Sequence, residues 1–211
     1  MYLNARSLKN VTKDRNKLVE LQNMVASTGG QLVSVTETWL TPDVHDAEVL
    51  SSSFSIHRKD CHETLPGTRG GGVMLAIDAK LPSKRRKDLE PMSEILVCEL
   101  QASGQSKTAM VVCYRSPNSD LSAFSTHIDE TLSKVLHEFN LVCVLGDFNV
   151  PEIDWSLQSQ PVDIAGNARE FFDIMLSHHC YQINSNPSNA HNNVLDLIFV
   201  NSMSLIPECI F

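Results

Sequence analysis

Several near-continuous apolar runs in this chain end on polar side chains of the kinds that bind metals and phosphates. QLVSVT at 31–36 runs into Glu37-Thr38-Trp39, and MVVC at 110–113 runs into Tyr114-Arg115-Ser116-Pro117. LVCVL at 141–145 runs into Gly146-Asp147-Phe148-Asn149, and Asp196 stands inside VLDLIFV at 194–200. Asn4 follows the short apolar start Tyr2-Leu3. Strand ends project side chains into the crevice above a sheet, where ligands bind in layered α/β folds. Each residue also has a plainer reading. Glu37 alone is a solvated strand end, Tyr114 a rim aromatic, and Gly146-Asp147 a turn in which Asp bonds its own backbone. Asp196 is harder to dismiss, because an acid among buried apolar residues needs a partner or a metal. Together they form an oxygen-rich set of carboxylates, amides and a phenol with no thiol or imidazole. That inventory suits Mg2+ or Mn2+ better than Zn2+, and an Mg2+ site facing a phosphate is a natural use of it.

The elements that must position these groups follow from hydrophobic periodicity. Strands are predicted at 31–36, 71–77, 95–100, 108–114, 141–145 and 195–200, several of them apolar enough to be covered on both faces. Three amphipathic helices are predicted. In 14–26, Leu18, Leu21 and Val25 keep helical spacing. In 120–139, a stripe from Leu121 to Phe139 follows Ser119 as cap, and in 168–177 Asn167 and Glu170 stand in capping-box spacing. The remaining segments at 42–46, 62–69, 79–91, 152–164 and 184–193 read as loops. Strands with interspersed helices, some joined only by short turns, predict a layered α/β sandwich in a single domain over 1–211.

Composition narrows the function classes. Hydrophobic residues make up 42% of the 211, enough for a sizeable core and too many for a disordered chain. No run approaches the length of a membrane helix, and the charged start MYLNARSLKNVTKDRNK lacks a signal-peptide core. The expected location is therefore intracellular, nuclear or cytoplasmic, without secretion and without a membrane partner. Net charge is -8, but residues 1–90 hold 13 Lys+Arg against 11 Asp+Glu, and residues 91–211 hold 4 against 14. One part could meet a polyanion while the other gathers carboxylates around a cation. None of the six cysteines forms a CxxC pair. Cys98, Cys113 and Cys143 lie in apolar runs as small hydrophobes, and no disulfide-linked partner is expected.

The motifs then resemble a known family. LNARSL at 3–8, VTETWL at 35–40, RKD at 58–60, RGGGV at 69–73, YRSPNS at 114–119, LGDFNVPEIDW at 145–155 and VLDLIFVN at 194–201 stand in order along the chain. In that order they resemble the endonuclease/exonuclease/phosphatase superfamily of deoxyribonuclease I and the apurinic/apyrimidinic endonucleases. They are most similar to the endonuclease domain of non-LTR (LINE-like) retrotransposons. The resemblance implies a four-layer α/β sandwich of the deoxyribonuclease I-like type and a metal-dependent endonuclease. It implies Mg2+ (or Mn2+) on Glu37, with Asn4 near the metal and the scissile phosphate. Asp147 would orient or deprotonate the attacking water and also reach the metal. Asn149 and Tyr114 would hold the phosphate, Asp196 would orient a catalytic histidine, and Ser188 would supply a nearby hydroxyl. The implied activity is nicking of one strand of a target DNA, with a reverse-transcriptase domain expected downstream.

The pattern also departs from the family. Its closing strand and Ser-Asp-His motif have no counterpart before the chain stops at Pro207-Glu208-Cys209-Ile210-Phe211, and His178, His179 and His191 do not match it. The first strand is also short. These departures predict an incomplete domain with an exposed sheet edge and a rate lowered by several orders of magnitude. Arg6, Lys9, Lys13, Arg15, Lys17 and the tetrad Lys84-Arg85-Arg86-Lys87, predicted in a loop, fit either phosphate-backbone contacts or solvated surface. Three functions remain open: a DNA endonuclease domain, a catalytically inactive or binding remnant of the same fold, and a phosphatase acting on a phosphorylated lipid or small molecule.

Overall fold

The computed structural model describes residues 1–64, 70–101, 107–155, 164–188 and 193–202. His191, Cys209 and the closing residues Pro207 to Phe211 lie outside them, as do parts of the predicted loops at 62–69, 152–164 and 184–193.

The chain begins with β1 (Tyr2–Asn4) and a short hairpin of β2 (Val11–Thr12) and β3 (Arg15–Asn16). There follow α1 (Lys17–Thr28), β4 (Leu32–Thr36), the single turn α2 (Asp46–Val49), β5 (Phe54–Lys59) and β6 (Val73–Asp78). Next come β7 (Ser83–Arg85), β8 (Ile95–Gln101), β9 (Lys107–Tyr114), α3 (Leu121–Glu138) and β10 (Leu141–Asp147). The described elements end with α4 (Gly166–Ser177), β11 (Tyr181–Gln182) and β12 (Asp196–Val200). Among the described residues no helix is long and apolar enough to cross a membrane.

The strands form a four-stranded sheet in the order β1-β4-β6-β5 and a six-stranded sheet in the order β11-β12-β10-β9-β8-β7. Because strand side chains alternate between faces, each sheet contributes to two cores. Leu96, Cys98, Met110, Val112, Cys143 and Leu145 face Val73, Leu75 and Ile77 of the other sheet. The alternate residues Ile95, Val97, Val111, Val142, Val144, Leu197 and Phe199 lie under α3 and α4, against Ile128, Leu132, Phe171 and Met175. On the far side, Val33, Val35, Met74 and Ala76 pack under Leu21 and Val25 of α1. The result is helix, sheet, sheet, helix: the four layers the resemblance implied.

Local signals set the helix ends, not always where the sequence pattern puts them. The predicted start of α1 at Asp14 is taken instead by the hairpin. Asn16 caps the helix, its side chain accepting from the backbone N–H of Leu18 at 3.1 Å and of Val19 at 3.4 Å, and Gly29 closes it at φ 62°. Asp120, not Ser119, caps α3 by accepting from Ser122 N at 2.9 Å. The capping box predicted for Asn167 and Glu170 does not form. The helix opens at Gly166 after Ala165, and Glu170 instead accepts from Ser122 Oγ at 3.2 Å, linking α4 to α3. Cys98, Cys113 and Cys143 are buried in β8, β9 and β10, as their apolar runs imply.

Candidate active site

β9, β10 and β12 lie side by side, and their register aligns three predicted site residues. Asp147 is paired with Tyr114 on the parallel side and with Asp196 on the antiparallel side. On the other sheet, Asn4 ends β1 opposite Thr36, the last residue of β4 before Glu37. The two sheets meet at this end. Asn4 Nδ2 donates to Glu37 Oε1 at 2.9 Å and to Asp147 Oδ2 at 2.8 Å, so one amide spans both carboxylates. Asn4 Oδ1 accepts from the backbone N–H of Arg6 at 3.1 Å, which fixes the orientation of that amide. Asn149, Tyr114, Asp196, Asn4, Glu37 and Asp147 therefore share one site.

Asp147 is 5% exposed, and its Oδ1 is buried with no hydrogen-bond partner among the described residues. Burial first, then the Asp196 and Glu37 carboxylates, push its pKa up to about 7, against the opposing pull of the Asn149 and Asn4 amides. The Tyr114 phenol is buried beside Glu37, Asp147 and Glu94, and burial and these charges raise its pKa so that it keeps its proton. Asp196 is half-buried and accepts from the Tyr2 hydroxyl at 2.7 Å; Tyr2 also shares a hydrogen bond of 2.9 Å with Thr36 Oγ1. Ser188 Oγ accepts from the backbone N–H groups of Leu195 at 2.9 Å and Asp196 at 2.8 Å, so this residue pins the start of β12.

The loop after β10 is held from beneath by Arg115. Its guanidinium donates to the carbonyls of Phe148 at 2.8 Å, Ser119 at 2.7 Å and Asn149, while Asn149 Nδ2 donates back to Arg115 O at 2.7 Å. These bonds hold Asn149 at φ 51°, in the left-handed region that a side chain seldom adopts. Glu37 at φ 50° and Trp39 at φ 53° share that conformation, and so do Arg6 and Ser7. Of the six non-glycine residues with positive φ among those described, His179 alone lies away from these segments. Such strain gathers where surrounding bonds over-determine the backbone.

Sequence reasoning passed over Tyr2, Arg115 and Glu94. Tyr2 and Arg115 were visible only as neighbours of Asn4 and Tyr114. Glu94 stands just before β8, buried, and accepts from the backbone N–H of Gly72, while burial, with a smaller push from the Glu37 charge, raises its pKa. An acid directly before an apolar strand was its only signal.

The basic tetrad is divided, and it is not a loop. Residues 83–85 form the far edge of the six-stranded sheet, with β8 and β9 between them and β10. Arg85 pairs with Glu90 at 2.8 Å and Glu63 at 3.1 Å, and Arg86 with Asp88 at 2.6 Å and Glu138 at 2.8 Å. These guanidiniums tie elements of the fold together; Lys84 and Lys87 are exposed. Among the early cations, Arg6 and Lys13 are exposed, Lys9 donates to Thr41 Oγ1 at 2.8 Å, Arg15 pairs with Glu20 at 2.6 Å, and Lys17 donates to Arg6 O at 2.8 Å.

Residues 108–210 match the family described as endonuclease-reverse transcriptase. No curated protein matches the chain in sequence. Among solved structures, the endonuclease domain of TRAS1, a telomere-specific non-LTR retrotransposon, aligns at a TM-score of 0.64 and 11% identity over 95% of this chain and 84% of that one. The AP endonuclease LMAP of Leishmania major aligns at 0.69 and 17% identity, over 95% and 78%. The 3′ phosphatase NExo from Neisseria, bound to product DNA hairpin, aligns at 0.61 and 14%, over 98% and 87%. The chain has the α/β nuclease fold of the deoxyribonuclease I-like proteins. Within that class it resembles the endonuclease/exonuclease/phosphatase superfamily, and its second half carries the endonuclease-reverse transcriptase pattern.

Proposed function

We propose that this chain is the DNA endonuclease domain of a retrotransposon polyprotein, nicking one strand of a target DNA to prime a reverse transcriptase encoded downstream. The single observation that carries the reading is the Asn4-Glu37-Asp147 array, in which one carboxylate oxygen of Asp147 is buried without a hydrogen-bond partner among the described residues. The family match over 108–210 and the likeness to the TRAS1 domain support the retroelement assignment.

The residues fit a divalent cation of the Mg2+ or Mn2+ kind. Among those described, no group of three or more His, Cys, Asp or Glu side chains is placed to hold a metal by itself. Two carboxylates suffice for Mg2+, which keeps several waters and takes phosphate oxygens as ligands. Glu37 and Asp147 would hold it, with the Asn4 amide donating to both carboxylates and so orienting them. When bound, the ion neutralises a phosphoryl oxygen and favours attack by water. Asp147 accepts a proton from the attacking water at the oxygen that has no partner among the described residues. Asn149 and the protonated Tyr114 donate hydrogen bonds to the phosphate as charge develops, from positions fixed before substrate arrives. Asp196 is held by Tyr2, and Arg115 keeps the Asp147–Asn149 segment in place without touching substrate.

A plasmid-nicking assay in Mg2+ tests the reading, with EDTA and an Asp147→Ala variant as comparisons. Conversion of supercoiled to open-circular plasmid is expected with the unaltered chain alone. Equal conversion by Asp147→Ala, or none by either, would overturn the enzyme reading in favour of a binding module. Phosphate release from inositol phosphates without nicking would turn the assignment to a phosphatase.

A further inference from the structure

We infer that Trp39 is a DNA-contacting residue whose indole packs against a nucleotide flanking the scissile phosphate, which deepens the endonuclease reading and rests on it. Trp39 is two residues from Glu37 and is clamped by backbone bonds on both sides. Its N–H donates to Gly71 O at 2.9 Å and that of Thr38 to Gly72 O at 3.2 Å, while the N–H groups of Ser7 and Leu8 donate to the carbonyls of Glu37 and Thr38 at 2.8 and 2.9 Å. The neighbouring side chains Thr38 and Leu40 are 0% and 2% exposed, yet Trp39 is 41% exposed.

A large apolar ring left in water forgoes the burial that would stabilise it elsewhere, and the left-handed backbone adds strain. Trp39 belongs to none of the three core clusters. The indole lies against Gly70, where even an added Cβ would stand in ordinary contact at 3.5 Å from Cε2 and 3.6 Å from Nε1, so the ring packs along this segment.

The surroundings select a nucleotide as the occupant. Exposed Arg6 follows Asn4 in the segment paired with Glu37, and Lys9 reaches Thr41 two residues beyond the indole. An exposed indole two residues from Glu37, on a segment paired with the one that carries Arg6 and Lys9, matches a base or sugar bordered by phosphates. The Gly-rich segment and TETWL thereby acquire a shared role: one supports the ring that the other presents.

The test uses the full chain. The sequence contains two tryptophans, and the other, Trp155, is 9% exposed in the core, so a change of emission on binding reports Trp39. Titrating labelled and unlabelled duplex DNA in EDTA should quench that emission and give a Kd by anisotropy. Trp39→Ala should weaken binding by about 10-fold and Trp39→Phe by much less, given typical base-aromatic stacking. Melting temperature should change little in either. Unquenched emission, an unchanged Kd in Trp39→Ala, or a Phe variant as weak as Ala with unaltered melting each overturns the inference. If Asp147-dependent nicking persists in those cases, the endonuclease reading stands. If the unaltered chain neither nicks nor binds, that reading fails and takes this inference with it.

Discussion

Replacing Gly146 by alanine should be among the most damaging single changes in the protein, and the distances say why. Gly146 has φ 153°, and a Cβ built there would lie 1.8 Å from Cys113 O, 2.7 Å from Cys113 C and 2.9 Å from Cys113 N. Cys113 is its register partner on β9, a strand flanked by β8 and β10. All three obstructing atoms are backbone, so no rotamer change relieves the contact. Only separation of β10 from β9 does, with loss of one or two ladder hydrogen bonds at about 1 kcal/mol each, beside the ~1–3 kcal/mol of an overpacked interior. The expected loss is about 2–5 kcal/mol, a fall of roughly 4–20 °C in melting temperature for a chain of this size. Gly29→Ala is the matched comparison. Gly29 also has positive φ, 62°, but nothing stands within 4 Å of its Cβ position, so it should lose only the left-handed penalty of about 1–2 kcal/mol. Equilibrium urea denaturation of both variants gives the difference directly. If Gly146→Ala is no less stable than Gly29→Ala, the close approach of β10 to β9 does not exist as described, and the placement of Asp147 beside Tyr114 falls with it.

The remaining predictions concern the site. Because Asp147 binds its proton more tightly folded than unfolded, stability in EDTA should fall as pH rises from about 4 to about 7, by at most about 1.4 kcal/mol per pH unit, and level off above. Asp147→Asn should remove that component, and parallel urea-stability profiles for the two proteins would contradict the shift. Arg115→Met leaves the carbonyls of Phe148, Asn149 and Ser119 without their donor and should cost about 2–4 kcal/mol. Thermal melting checks that figure, and nicking at a temperature where the variant stays folded should still be lost. Tyr2→Phe keeps the ring but gives up the bonds to Asp196 and Thr36, for about 1–2 kcal/mol in urea denaturation.

The strands ending in Tyr114 and Asp147 were legible because each is a nearly continuous apolar run buried on both faces with the polar residue at its end, and Asp196 was legible because it interrupts such a run. The roles of Glu37, Asn4 and Asn149 came from resemblance; spacing alone left them as strand ends and a turn. β5 was missed because FSIHRK mixes polar and apolar residues. Its Lys59 is buried by donating to Pro91 O at 2.6 Å and Ile95 O at 3.2 Å, which no local pattern announces. β7 was hidden for a similar reason: a run of four basic residues reads as solvated until its carboxylate partners, as far away as Glu138, are known. The Tyr2–Asp196 bond and the Arg115 brace are tertiary facts. They depend on which strands become neighbours, and composition within a window does not carry that information.

The hydroxyl–carboxylate bond between Tyr2 and Asp196 joins residues 194 positions apart, and Asn4 meets Asp147 across 143. A ribosome adding roughly 5–20 residues per second would release Asp196 some 10–40 s after Tyr2. Throughout that interval the first sheet can pair, but the strand bearing Asp196 has not been made. Any product of interrupted translation ending before β12 would therefore lack part of the centre. Assembly of the full centre thus waits on synthesis of β12: a nascent or prematurely terminated chain shorter than that cannot bring the full set of groups together.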